Sequence, residues 1–350
     1  MSESSQLGVY EIDTAELGTA LEAVLSHYFG VSRTIEKLQR TPAWYRSSFA
    51  LEELEVTLDD GVLLHILFKD VNLQALSEDG RLAKPLFLYH PLREIETYRH
   101  ILAAHLPDTA LCYGAVSDSE RDRYWLFLEK VAGVALYEVG LATWQRVAQW
   151  LATMHKHFAQ QTELGDLAVT SHLLRYDRDF YWVWPRRAQI FLRHIEPPPP
   201  ADALERFDRL VASYDQVVER LLALPVTFIH GEFYAANVLV QETADRLRVC
   251  PVDWEMAALG PGLLDLAALI AGNWTEAEKS LMALAYHQAL SGEGSWSPTI
   301  DEFLAALNCC RLHVAMQWLG WSAEWRPPPN QAQNWLDEAL QVMEWVMRTA

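Results

Sequence analysis

Two short stretches in the second half of the chain combine residue types that can do chemistry together. His230-Gly-Glu-Phe-Tyr-Ala-Ala-Asn237 places a carboxylate, Glu232, five positions before a carboxamide, Asn237. Val252-Asp-Trp-Glu255 follows and adds a carboxylate at Asp253. Such a set suits phosphoryl transfer, which needs a carboxylate to orient an attacking hydroxyl and hard oxygen ligands to hold magnesium on the phosphates. Either stretch alone reads equally well as an ordinary turn or a common aspartate after a strand. Their order, with β-rich runs on both sides, carries the signal.

Those runs are the elements that must position them. Val226–Ile229 and Arg248–Val252 read as short strands bracketing the first stretch, so one short hairpin separates Asn237 from Asp253. Upstream, Leu51–Leu58 and Val62–Phe68 flank Asp59-Asp-Gly61 as a β-hairpin whose second strand ends at Lys69. Leu17–Tyr28 has helical spacing that Gly30 can end. Pro91–Ala103 repeats apolar residues at helical intervals and carries Glu94 and Glu96. Tyr124–Leu128 is a buried strand, and Glu129-Lys-Val131 is the connector after it. Leu141–Phe158 is an amphipathic helix, and two helices follow Pro197–Pro200 to about Leu222. The pattern divides near residue 131, giving a β-rich part, 1–131, and a mainly helical part, 132–350, within an α+β fold.

Composition narrows the function. A net charge of −19 repels polyanions, so nucleic acid is excluded as a partner, whereas cationic ligands are attracted. No run of eighteen apolar residues predicts a membrane span, and the polar, acidic start lacks the features of a signal peptide, so a cytoplasmic location is expected. The four cysteines, Cys112, Cys250, Cys309 and Cys310, lack zinc-ligand spacing and read as free buried thiols.

Taken in order, these motifs resemble the aminoglycoside phosphotransferase and choline kinase families, whose catalytic loop reads HGDxxxxN and is followed by a metal-binding aspartate. The resemblance implies a bilobal protein-kinase-like fold, with a small β-rich N-lobe and a larger helical C-lobe. It implies an ATP- or GTP-dependent phosphotransferase that uses Mg2+ and acts on a hydroxyl of a small molecule, cationic or aromatic, as a monomer or homodimer. By resemblance, Glu232 takes the base position, Asn237 and Asp253 hold magnesium, and His230 is structural. Lys69 meets the nucleotide phosphates with Glu94 as its ion-pair partner and Glu96 as the fallback. The backbone of Glu129 and Val131 meets the adenine ring. Leu151-Ala-Thr-Met-His155 and Gly262-Leu-Leu-Asp265 match further family segments, with His155 and Asp265 structural.

Two departures stand out. No glycine-rich loop lies over the phosphates; Ser47 and Ser48, in Arg46-Ser-Ser-Phe49, stand in its place, in what reads equally as a polar hairpin loop. The usual aspartate is Glu232, one methylene longer. That change leaves open a weak kinase-like protein that sequesters its ligand, or transfer of another group from a nucleotide. Fourteen tryptophans concentrate where the family builds its acceptor pocket. Most are expected in the core, with Trp182, Trp184 and Trp321 as pocket side chains.

Overall fold

A computed structural model describes residues 12–43, 48–49, 51–76, 80–81, 84–106, 108–161, 163–243, 246–290, 296–321 and 334–348. Ser47, Trp325 and the Pro327–Pro329 run lie outside the described residues. The fold is α+β, in two compact units.

The first unit comprises Met1–Arg81 and Tyr98–Val131. Its helix α1 (Thr14–Phe29) begins on Asp13, whose side chain accepts from two backbone N–H groups, and ends at Gly30 with φ +69°. An antiparallel five-stranded sheet follows: β1 (Ile35–Pro42), β2 (Leu51–Leu58), β3 (Leu63–Asp70), β4 (Cys112–Asp118) and β5 (Arg123–Glu129), in the order β1-β2-β3-β5-β4. Leu17, Leu21 and Leu25 of α1 join Leu54, Val56, Ile66, Phe68, Trp125 and Phe127 in one apolar core. The alternation that marks β2 and β3 as strands therefore also puts one face of the sheet under α1.

Asp70, at the end of β3, is almost fully buried, and burial pushes its carboxyl up to about 6. A raised acid favours the fold while protonated, so this contribution is present below the ordinary carboxylate range and is lost as pH rises through 6. Asn at this position keeps an oxygen for the Asn72 N–H, which donates to Asp70 Oδ1 at 3.1 Å. Asp70→Asn should stabilise the protein at pH 7 by something on the order of 2 kcal/mol and contribute nothing at pH 4. Thermal melts of both forms across pH 4–8 check this; a gap that does not open between pH 4 and 6 would sink it.

The second unit comprises Leu82–Thr97 and Ala132–Ala350. Helix α2 (Pro91–Glu96) therefore groups with it, not with the sheet unit as a boundary at residue 131 would have it. The physical reason is a set of buried polar contacts, described below, that tie this segment to residues 253–255. At Thr97 the helix changes to a π-helical turn, Thr97–Leu102, at the point where the units divide. The remainder holds β6 (Val134–Ala135), α3 (Leu141–Ala159), α4 (Leu164–Thr170), β7 (Leu174–Arg175), α5 (Arg178–Leu192), α6 (Ala201–Ala212) and α7 (Tyr214–Leu222). Then come β8 (Val226–Ile229), β9 (Val238–Glu242), β10 (Leu247–Pro251), β11 (Ala258–Pro261), α8 (Leu263–Leu269), α9 (Glu276–Leu290), α10 (Ile300–Trp321) and α11 (Trp335–Arg348). Among the described residues no helix is long and apolar enough to cross a membrane.

Candidate functional site

The site grows from the end of β8. His230 is completely buried, and its Nε2 donates to the Val252 carbonyl at 2.9 Å. That bond leaves Nδ1 as the acceptor for the Glu232 N–H at 3.3 Å. The backbone N–H groups of His230 and Gly231 both donate to the Asp265 carboxylate, at 2.7 and 2.9 Å. His155 braces that carboxylate, with Nε2 3.3 Å from Oδ2 and Nδ1 2.8 Å from the Tyr286 hydroxyl. His155 and His230 are thus satisfied interior histidines.

Glu232 leaves this scaffold on a rigid backbone. Its carbonyl accepts from Tyr234 N at 2.7 Å and from Asn237 Nδ2 at 3.0 Å. The second bond orients the Asn237 carboxamide and leaves Oδ1 as its acceptor. Register then brings Asn237 to Asp253. Val238 pairs with Pro251 in the β9–β10 ladder, and Val252 N donates to the Asn237 carbonyl at 2.9 Å. Asp253 adopts the left-handed conformation, φ +67° and ψ +59°, which Asp tolerates better than most residues and which is common where function holds the backbone. Glu232, Asn237 and Asp253 therefore converge through local structure.

Glu94 joins them from far away in sequence, where Trp254 N donates to its Oε1 at 3.2 Å. The neighbouring Arg93 guanidinium donates to the carbonyls of Leu88, His172 and Glu255 at 2.7, 2.7 and 2.8 Å. Burial lowers Arg93 to about 10, so it stays cationic at neutral pH. Trp318 Nε1 donates to the Tyr234 hydroxyl at 2.5 Å, and the Trp318 ring stacks on Trp335. Burial first, and then the Glu232 charge, raise the Tyr234 hydroxyl well above its usual range, so it stays protonated.

Lys69, Ser48, Glu129 and Val131 belong to the first unit. Lys69 is buried at the end of β3 with its ammonium over the Phe49 ring, 5.4 Å from the centroid. Ser48 is half-buried beside Phe49, which bridges to Leu76. Glu129 ends β5, where its backbone N–H and carboxylate both engage Leu111, and Val131 is half-buried in the connector.

The tryptophans sort differently from expectation. Trp184 is fully buried and stacks on Trp321, with ring centroids 5.5 Å apart, so the pair packs the interior between α5 and α10. The stretch around Trp184 is a continuous helix, α5, that turns Tyr181, Trp184, Pro185 and Ala188 inward. Trp182 is half-buried; its Nε1 donates to Asp215 at 3.0 Å, and Arg186 lies over its ring. The aromatics that pack on the 230–237 loop are instead Trp254 against His230, Trp150 against Phe233 and Trp318 against Tyr234. Arg93 carries no motif that marks it in the sequence, whereas Tyr234, two residues from Glu232, has a positional signal.

Comparison with known proteins follows the same lines. The model of the APH phosphotransferase enzyme family matches residues 88–301, more than half the chain. No curated protein matches the sequence. Among solved structures, the Plasmodium vivax ethanolamine kinase is 13% identical, with a TM-score of 0.58, and covers 97% of this chain and 90% of its own. A microcompartment-associated aminopropanol kinase is 17% identical, with a TM-score of 0.59, covering 94% and 96%. The GDP complex of an aminoglycoside 2'-phosphotransferase-IIIa variant is 12% identical, with a TM-score of 0.54, covering 95% and 98%. At these identities the likeness is one of fold.

Proposed function

The chain belongs to the APH phosphotransferase enzyme family, and from that premise we propose that it moves the γ-phosphate of ATP or GTP onto a hydroxyl of a small molecule. The observation that carries this reading is the β9–β10 register, which sets Asn237 beside the Asp253 turn while the Asn237 amide grips the Glu232 carbonyl. One hairpin thereby assembles a base candidate and two hard oxygen donors. Among the described residues no group of three or more His, Cys, Asp or Glu side chains could hold a metal alone. The pair of hard oxygen donors at Asn237 and Asp253 suits magnesium, which favours one or two protein oxygens together with phosphates and waters. In this reading Asn237 Oδ1 and the Asp253 carboxylate hold the ion, which when bound neutralises charge on the transferring phosphate. Glu232 accepts the proton of the attacking hydroxyl. Lys69 meets the phosphates, and the Glu129–Val131 backbone meets the base.

Purified protein incubated with Mg-ATP or Mg-GTP and pooled hydroxylated metabolites should yield an acceptor heavier by one phosphoryl group in the mass spectrum. Nucleotide consumption without any phosphorylated acceptor would point to transfer of another group. Nucleotide-independent ligand capture would point to a binding protein.

The Glu232 backbone is held at both its N–H and its carbonyl, so in this reading the longer side chain is matched by the acceptor's position. Glu232→Gln keeps the size and loses the proton-accepting charge; turnover should fall by roughly a hundredfold or more, the scale of general-base catalysis, with nucleotide affinity unchanged. Glu232→Asp shortens the reach by about 1 Å and should also be slow. A Gln variant as fast as wild type removes Glu232 from the mechanism.

A further inference from the structure

Two residues beyond Asp253, the Glu255 carboxylate meets the Lys84 ammonium, with Nζ to Oε2 at 2.6 Å and side chains only 5% (Lys84) and 8% (Glu255) exposed. A pair this buried is weak evidence for stability, because desolvating both charges cancels much of their attraction and apolar residues of the same volume would serve as well. Its geometry suggests a different use. The Trp254–Met256 segment is a single 3-10 turn hung on the left-handed Asp253. The 84–94 segment grips that turn at three points: Lys84 on the Glu255 carboxylate, Arg93 on the Glu255 carbonyl at 2.8 Å, and Glu94 on Trp254 N at 3.2 Å.

We propose that Lys84 is a positioning residue for phosphoryl transfer: by holding Glu255 it fixes the turn that aims the Asp253 carboxylate at the metal-nucleotide. The same contact assigns Glu255 itself. A carboxylate two residues from a metal-binding aspartate is an obvious second ligand, but the Lys84 ammonium occupies it, so Glu255 supports the turn and leaves coordination to Asn237 and Asp253. This inference rests on the reading of Asp253 as a metal ligand given above.

The test is the magnesium dependence of nucleotide binding, measured by calorimetric titration with ATP and GTP across a magnesium series, alongside thermal melts. Lys84→Met should raise the half-saturating magnesium concentration about tenfold, the lower end of what loss of an outer-sphere partner costs, with metal-free nucleotide affinity unchanged. Lys84→Arg should recover most of the wild-type response. Because Lys84→Met takes the ammonium away from a buried Glu255 carboxylate, the Lys84→Met/Glu255→Met double variant fills the space with apolar groups and should fold. It should show the same tenfold rise if positioning is the role. A double variant, or a folded Lys84→Met, with the wild-type magnesium response overturns the proposal, since a purely structural pair would change only the melting midpoint. Asp253→Asn in parallel separates the two readings. If wild type shows no magnesium-dependent binding, or Asp253→Asn retains it, the metal assignment falls; if both behave as expected and only the Lys84 variants do not, this inference alone falls.

Discussion

Asp253→Asn should lower turnover by at least on the order of a thousandfold while the melting midpoint stays close to wild type. The magnitude is that expected when the proposed magnesium ligand loses its charge, on the scale of other charge-stabilising groups in phosphoryl transfer. Asn is the informative replacement because of the backbone. Asp253 lies at φ +67°, where Asn is tolerated nearly as well as Asp, whereas a simple L-residue such as Ala loses about 1–2 kcal/mol. Asp253→Ala would therefore mix loss of charge with backbone strain, and Asp253→Asn isolates the charge. Steady-state rates with thermal melts in parallel check the result. A folded Asn variant with an unchanged rate would reassign the metal site.

Gly231→Ala should remove activity through the backbone alone. Gly231 has φ +84°, and a Cβ there would stand 2.3 Å from the Met256 carbonyl oxygen, far inside contact distance. The loop cannot move aside cheaply. The N–H groups of His230 and Gly231 are both held by Asp265, and His230 Nε2 is held by the Val252 carbonyl. Either those bonds break or the Trp254–Met256 turn retreats, and each route displaces Glu232. The expected cost is roughly 3 kcal/mol or more of stability, with turnover falling at least about a hundredfold in whatever fraction folds, since a displacement of about 1 Å suffices for that. A denaturant titration and single-turnover rates read the two effects separately. A variant with the wild-type midpoint and rate would mean that the loop adapts.

The legible parts of this chain are those whose determining contacts are close in sequence. The Leu51–Leu58 and Leu63–Asp70 hairpin announced itself through β-rich runs around Asp59-Asp-Gly61, and α1 through its period and Gly30. The convergence of Glu232, Asn237 and Asp253 was legible for the same reason, because a loop and one hairpin assemble them. Strand β4 was not legible: Cys112-Tyr-Gly-Ala-Val-Ser-Asp118 has a weak strand pattern, and pairing with β5 makes it a strand. Helix α5 was not legible because its stretch is weakly periodic and carries Pro185 within the helix; with the helix went the inward turn of Trp184. The contacts that grip the Asp253 turn were beyond reach altogether. Arg93 meets Glu255 across 162 positions and Glu94 meets Trp254 across 160, and groups that far apart carry no periodicity or spacing that marks them as neighbours. The sequence alone determined which residue types stand together at the candidate site, since a loop and a local hairpin suffice for that. Only the tertiary structure decided how firmly those atoms are aimed, because the groups that hold them are buried against partners that folding alone brings within hydrogen-bond reach.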